Sequence, residues 1–342
     1  MDTATDNVLR YPWFPNDQQG LPSTMASAAV AGLLSRAVAH PLDTVKAVIQ
    51  VQTKSRDTPK TVFERSRTVR TLLSIWKVDG LRGLYRGFAI TSALAIPATC
   101  LYFSAYEILK SHVMKLFFGT ADQNTTSAEL SFGSAFIVDS VCGFSAEAIS
   151  CLLYLPMDVC KERLQVYPAM RSESSPITKP TLREVVRADG ISGLYRGYGA
   201  TLLSFGPFSA LFFTLNHQFR ELAGHIMGPA TDPPTLGSSA ECRPLLDATV
   251  AGAAAGAAAF LTAPLDKVKL RLQVQAKAPR GHHAPFYYKH FFHGLASLFK
   301  AEGLSGCFAG VGARTTFSSG SLFLTILVMQ NARNVYCRYL EG

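Results

Sequence analysis

The sequence has little charge for its length: Asp, Glu, Lys and Arg make up 17% of the 342 residues, whereas 48% are apolar. A soluble globular protein carries about 25% charged residues. This scarcity argues against a soluble protein and favours one that sits in a lipid bilayer. The seven cysteines include no Cys-x-x-Cys pair, so neither a disulfide framework nor a zinc site is expected.

The net charge of +9 is unevenly distributed along the chain. Three segments together hold 18 Lys and Arg against 7 Asp and Glu, namely 53–90, 166–200 and 274–310. Four others hold 4 against 10, namely 1–22, 111–130, 221–247 and 334–342. This alternation is typical of a multi-pass membrane protein with basic loops inside and both termini outside. The basic charge therefore reflects topology, and no nucleic-acid partner is predicted.

A Pro-x-Asp-x-x-Lys motif occurs three times, at spacings of 115 and 108 residues, and each copy follows an apolar run. A proline inside a helix removes a hydrogen bond and crowds the preceding turn, so a kink is expected at Pro41, Pro156 and Pro264. The spacing divides the chain into a tail, 1–22, and three repeats, 23–118, 128–225 and 244–338.

The acid and the base of each motif lie on one helical face because they are three residues apart. Three such helices around one axis can pair head to tail, which predicts a closed ring of Asp43, Lys46, Asp158, Lys161, Asp266 and Lys269. A glutamine follows each motif at the same offset and can hydrogen-bond to a pair, giving Gln50, Gln165 and Gln273. Buried ion pairs contribute little net stability, so the ring suits a contact that opens and closes.

Six apolar stretches exceed the ~20 residues that a helix needs to cross a bilayer. They are 24–52, 88–110, 133–165, 198–220, 246–273 and 311–333. The predicted fold class is an all-α membrane protein with six transmembrane helices in three pseudo-symmetric pairs, each pair with a short amphipathic helix between its members.

The three motifs resemble those of the mitochondrial carrier family, and the resemblance covers nearly the whole chain. It implies a monomeric transporter that moves a small solute across the mitochondrial inner membrane by alternating access, with both termini facing the intermembrane space. The ion pairs would close the matrix side of a central cavity, and the glutamines would brace them. No cofactor is implied apart from structural cardiolipin, and no enzyme activity. The first six residues contain acids and lack an Arg-rich presequence, so targeting would be internal.

A second motif lies between the helices of each pair: Asp79–Gly87, Asp189–Gly197 and Glu302–Gly310, the third with Ala309 in place of arginine. Glycine before a helix presents free backbone N–H groups to an anion. By the resemblance, these positions bind cardiolipin phosphates; a plain turn and helix cap explains each single glycine equally well. The candidates are Gly80, Arg86, Gly87, Gly190, Arg196, Gly197, Gly303 and Gly310, and the third site should be weakest.

The resemblance also implies a gate on the cytoplasmic side, written aromatic-acid-x-x-base on the even-numbered helices. The first copy, Tyr106, Glu107 and Lys110, conforms. The second has His217 with Arg220 and the third Gln330 with Arg333, so the bases remain while two acids are absent. An outer ring with one ion pair should close poorly, which favours a resting state open to the intermembrane space.

Two charged residues are predicted to face the cavity. Arg36 lies seven positions before Asp43, and Glu147 lies eleven before Asp158, so each falls within ~20° of an aspartate that faces the axis. Charged residues at membrane depth are usually functional. The alternative is that Arg36 and Glu147 simply pair with each other.

The family's substrate contacts map to uncharged residues here, namely Leu94, Ser204, Phe205 and Phe317, with Tyr102 nearby. This set favours a partly apolar or zwitterionic solute over nucleotides, keto acids or basic amino acids. Arg314 is a candidate for the gate rather than the substrate. A metal- or glutathione-related carrier stays an alternative, as does a non-transporting adaptor. His40 is interpreted as a packed residue rather than a metal ligand.

Overall fold

The computed structural model describes residues 21–52, 67–118, 132–170, 181–227, 239–275 and 286–340. In these ranges the chain is helical and contains no strand, which confirms the predicted all-α class. Eleven helices follow one another there: α1 Leu21–Val51, α2 Arg67–Leu84, α3 Phe88–Phe118, α4 Phe132–Met170, α5 Leu182–Asp189, α6 Ile191–Leu194, α7 Tyr198–Met227, α8 Ser239–Leu261, α9 Ala263–Val274, α10 Phe291–Cys307 and α11 Val311–Leu340.

The long helices form a bundle that closes on itself. Between successive helix pairs, α3 packs on α4 and α7 on α8, while α11 returns to pack on α1. Small residues in α8 let α11 approach closely. A Cβ atom added to Gly252 would lie 3.1 Å from the carbonyl oxygen of Ser319, and one added to Gly256 would lie 3.4 Å from the Ser319 side chain. The two long helices of the third repeat therefore pack closely against each other.

By length and composition, two of the described helices could cross a membrane, Ile191–Ile226 and Val311–Met329. The number rises to four if each of two bent pairs is a single span, Thr68–Ala93 with Pro97–Val113 and Leu245–Leu261 with Ala263–Val274. Helices α1 and α4, with 31 and 39 residues, also exceed the length of a bilayer crossing. For these two the prediction of a span rests on length, because charged residues interrupt their apolar character.

The three motif prolines behave differently. Helix α1 continues through Pro41, and α4 continues through Pro156. Only the third motif stands at a break: α8 ends at Leu261, α9 begins at Ala263, and the two segments are bent by 69°. Pro264 occupies the first turn of α9, where its missing N–H costs no intrahelical hydrogen bond.

Candidate functional site

The three motifs meet at one end of the bundle and form ion pairs between repeats. Lys161 Nζ lies 2.5 Å from Asp43 Oδ2, so α4 is joined to α1. Lys46 Nζ lies 2.9 Å from Asp266 Oδ2, which joins α1 to α9. Lys269 Nζ lies 3.7 Å from Asp158 Oδ2, which joins α9 to α4. The pairs run head to tail around the axis, and we call these six residues the matrix ring, after the side on which the sequence predicts them.

The glutamine that follows each motif donates a hydrogen bond to the aspartate of the neighbouring repeat. Gln165 Nε2 lies 3.4 Å from Asp43, and Gln273 Nε2 lies 3.1 Å from Asp158. Gln50 Nε2 lies 3.2 Å from Asp266. Each aspartate of the matrix ring therefore accepts from two residues of one other helix, namely a lysine and the glutamine one turn after that lysine.

Two further charged residues, Arg314 and Glu162, join the matrix ring. Arg314 of α11 is buried; its Nε lies 3.4 Å from Asp266, and its Nη2 donates to the hydroxyl of Thr262 at 2.9 Å. Glu162 accepts from Lys161 at 3.2 Å and is also buried. With these two the network holds four acids and four bases. Sequence reasoning raised Arg314 as a candidate for the gate but missed Glu162, which no repeat pattern indicates.

One substrate candidate contacts the matrix ring directly. The Lys46 ammonium lies over the ring of Phe317, 5.8 Å from its centroid, a cation–π geometry. Lys46 therefore contacts both Asp266 and Phe317.

The other cavity candidates are placed as follows. Arg36 is exposed and forms no ion pair with Glu147, so the two do not neutralise each other in the described part of the chain. Glu147 instead accepts a hydrogen bond of 2.8 Å from the Tyr154 hydroxyl. Tyr102 is partly buried in a cluster with Cys142 and Ala146.

The contact residues of the even-numbered helices differ in exposure. Ser204 is buried and Phe205 partly buried in this form of the protein. The side chain of Leu94 lies outside the described side chains.

The first and the last glycine of each second motif have positive φ, between +60° and +87°. The last glycine of each copy packs against the next repeat. A Cβ on Gly87 would lie 3.0 Å from Lys161 Cγ, one on Gly197 2.9 Å from Gln273 Cγ, and one on Gly310 3.0 Å from Ile49 Cγ2. By contrast, Gly80, Gly190 and Gly303 have open space where a Cβ would point. The last glycines thus serve packing between repeats, and the first leave room beside the backbone.

The acid that opens each copy binds cations of its own repeat. Asp79 pairs with Arg86 at 3.0 Å. Asp189 pairs with Arg163 at 2.8 Å and lies 3.9 Å from Arg196, which also donates to the carbonyl of Gln275. Both motif arginines are therefore already engaged by protein groups.

In the third repeat, Glu302 binds two cations from α9, Lys267 and Arg271, each at 2.6 Å. The third copy has Ala309 where the other two copies have an arginine. Lys267 and Arg271 supply the positive charge beside Glu302 instead. Burial by itself would raise the pKa of Glu302, but the hydrogen bond from Lys267 and the charge of Arg271 outweigh it and hold the pKa below its usual value. Sequence reasoning missed this cluster, although an acid left without its motif arginine was a signal for it.

The candidates for the outer gate that the structure describes make the following contacts. Lys110 donates to the Tyr106 hydroxyl at 3.5 Å, and Glu107 is exposed. His217 lies 3.7 Å from Glu221 of its own helix. Arg220 pairs at 3.0 Å with Asp247 of α8, a partner that the sequence did not indicate. The side chains of Gln330 and Arg333 lie outside the described ones.

His40 is a packed residue, as interpreted from the sequence. Its Nε2 is 3.0 Å from the carbonyl of Arg86, and its ring contacts those of Tyr85 and Phe88. Among the described residues no group of three or more His, Cys, Asp and Glu could hold a metal ion.

Known proteins match the chain over most of its length. The family model "Mitochondrial carrier protein" matches three times, at residues 17–117, 133–226 and 241–340. Mitochondrial substrate carrier family protein E of Dictyostelium discoideum is 29% identical over 91% of this chain and 94% of its own. The mitochondrial S-adenosylmethionine carrier of Xenopus laevis is 30% identical over 90% and 96%. The mitochondrial aspartate-glutamate transporter of Saccharomyces cerevisiae is 27% identical over 87% of this chain but 30% of its own.

Three family repeats, each contributing to one ring of ion pairs, leave one conclusion: the chain belongs to the mitochondrial carrier family, whose members are membrane transporters and not enzymes.

Proposed function

We propose that this protein moves a small solute across the mitochondrial inner membrane by alternating access, and that the matrix ring is its matrix-side gate. The observation that carries the proposal is the ring itself, in which every ion pair joins two different repeats. Movement of the repeats relative to one another must break these pairs together. Both termini face the intermembrane space in this orientation.

In this proposal the described form is the one that is closed on the matrix side. The matrix ring is complete, since each of its aspartates binds a lysine of another repeat. A solute from the intermembrane space would enter, reach Arg36 and Glu147, and approach Phe317 next to Lys46. Opening the ring then releases it to the matrix.

The cavity charges favour a solute that carries both signs of charge. Arg36 offers a guanidinium for a carboxylate, which it can bind in a bidentate manner. Glu147 offers a carboxylate for an organic cation, and Tyr154 fixes its position. S-adenosylmethionine, named for the Xenopus relative, has an amino-acid group and a sulfonium cation and is the first solute to test.

Uptake into liposomes tests the proposal. We expect the purified protein to take up S-adenosylmethionine or another zwitterion from a panel that also holds dicarboxylates, nucleotides and glutathione. Arg36→Ala and Glu147→Gln should each lower the rate at least tenfold, because each removes a charge-assisted contact worth about 1.5–3 kcal/mol. Lys77→Ala, on the exposed face of α2, is the matched control and should leave uptake unchanged. A folded protein that takes up no member of the panel would favour a non-transporting adaptor.

The missing outer acids can be restored. We expect His217→Asp combined with Gln330→Glu to increase the fraction of molecules closed on the outer side, because three ion pairs become possible where one was. The readout is the labelling rate of a cavity cysteine, introduced as Arg36→Cys, by an impermeant maleimide added outside. The rate should fall severalfold; an unchanged rate would contradict the proposed outer gate.

We also propose that cardiolipin phosphates bind beside the first glycine of each second motif, where the backbone is open. The space at Gly80, Gly190 and Gly303 supports this assignment. Arg86 and Arg196 would have to leave their present partners to reach a phosphate, and the third site has Ala309 instead. The third site is the weakest of the three in this proposal.

A further inference from the structure

The position directly after the motif lysine differs among the repeats. It is Ala47 in the first, Leu270 in the third and Glu162 in the second. Glu162 is buried, with 9% of its surface exposed, and so is Lys161 beside it. Only the second repeat therefore adds a carboxylate to the matrix ring at this position.

Lys161 has two carboxylate partners. Its Nζ lies 2.5 Å from Asp43 Oδ2 on α1 and 3.2 Å from Glu162 Oε1 on its own helix. The second oxygen of Glu162, Oε2, is buried without a hydrogen-bond partner. Lys46 and Lys269 each have one carboxylate within ion-pair distance among the described residues. Glu162 thus has an unused acceptor next to a lysine that already holds Asp43.

The two contacts of Lys161 differ in what movement does to them. Asp43 lies on another repeat, so the contact between Lys161 and Asp43 must break when the ring opens. Glu162 lies on the same helix as Lys161, so their contact survives. Removing the only partner of a buried charge is strongly unfavourable, because the charge loses its compensation without regaining water.

We propose that Glu162 is a positioning residue of the matrix gate, which keeps the Lys161 ammonium paired while Asp43 moves away. The inference rests on the proposed transport function. Glu162 lowers the free-energy difference between the closed and open ring at the contact between α1 and α4. The free Oε2 atom gives Lys161 a second acceptor on Glu162 once Asp43 has left.

The pairing is tested by a double-mutant cycle on thermal unfolding in detergent with cardiolipin. Asp43→Asn and Glu162→Gln each leave Lys161 with one carboxylate, whereas the double variant leaves it with none. We expect the unfolding midpoint of the double variant to fall by clearly more than the sum of the two single shifts. Asp79→Ala combined with Glu162→Gln is the control and should be additive, because Asp79 binds Arg86 outside the matrix ring. Additivity in both cycles would overturn the proposal.

The gating role needs a second readout that a purely structural residue would not change. The Arg36→Cys reporter is placed in a background with Cys100, Cys242 and Cys337 replaced by serine, and is labelled from the matrix side of oriented liposomes. We expect Glu162→Gln to lower this labelling rate about tenfold, since the open ring is disfavoured by about 1.4 kcal/mol. Glu162→Asp should restore most of it.

The outcomes separate the two proposals. If the reporter is labelled from both sides but Glu162→Gln does not change the matrix-side rate, the role of Glu162 is wrong and the gate stands. If the reporter in the otherwise unchanged protein is labelled from one side only, alternating access itself is wrong. In that case the unfolding cycle still decides whether Glu162 and Asp43 share Lys161.

Discussion

Replacing Glu302 with alanine is expected to lower the free energy of unfolding by about 3–5 kcal/mol, because it leaves two buried cations without a carboxylate. Lys267 is completely buried and Arg271 is 2% exposed, and both lie 2.6 Å from Glu302. Neither can regain water without unpacking α9 from α10. The measurement is the thermal unfolding midpoint of the purified protein.

The first repeat supplies the matched control. Asp79 stands at the same position of its motif and pairs with Arg86, but the side chains are 29% and 28% exposed. Exposed ion pairs contribute about 0–1 kcal/mol, so Asp79→Ala should cost much less than Glu302→Ala. Equal losses at the two positions would mean that burial of the cations does not determine the effect.

The depressed pKa of Glu302 gives this cluster a defined pH dependence. A carboxyl whose pKa is lower in the folded than in the unfolded state stabilises the fold above its unfolded pKa. That stabilisation is lost as the pH falls through the folded pKa. The wild-type protein should therefore lose more stability on acidification below pH ~4 than the Glu302→Ala variant does.

The second large effect is expected at Asp266, which binds more donors than the other two aspartates of the ring. It accepts from Lys46 at 2.9 Å, from Gln50 at 3.2 Å and from Arg314 at 3.4 Å. Asp266→Asn leaves both cations without their carboxylate, so we expect the matrix ring to open. Labelling of the cavity cysteine from the matrix side should rise about a hundredfold, which corresponds to about 2.7 kcal/mol.

Asp158→Asn is the control for this substitution within the same ring. Asp158 has one lysine at 3.7 Å and one glutamine at 3.1 Å, and its side chain is 19% exposed. Its loss should raise the labelling rate less than tenfold. If the two variants behave alike, the number of donors at an aspartate does not set its contribution to closure.

The repeated motif was sufficient to predict the architecture and the contacts of the ring. Residues at equal spacing in three copies must occupy equivalent places, so Asp43, Asp158 and Asp266 could be placed around one axis from sequence alone. The family match confirms the resulting fold class. The positions of Lys161, Lys269 and Lys46 opposite these acids follow from the same symmetry.

The residues that sequence reasoning missed are those that break the symmetry. Glu162 and Lys267 have no counterpart of the same type in the other repeats, so no spacing rule points to them. Lys267 and its partner Glu302 are 35 residues apart. The contact of Glu162 with Lys161 depends on which way their helix faces. The break at Thr262 is a further case: the same motif is compatible with a continuous helix at Pro41 and Pro156.

The contact between the last and the first repeat has a consequence for how the chain is assembled. Gly310 packs on Ile49, and Lys46 finds Asp266 more than two hundred residues further along. Contacts of such sequence separation form late because closing a long loop is entropically costly. While the third repeat is still being synthesised, Lys46 has no carboxylate to meet. The matrix ring can therefore be completed only after the third repeat has packed against the first.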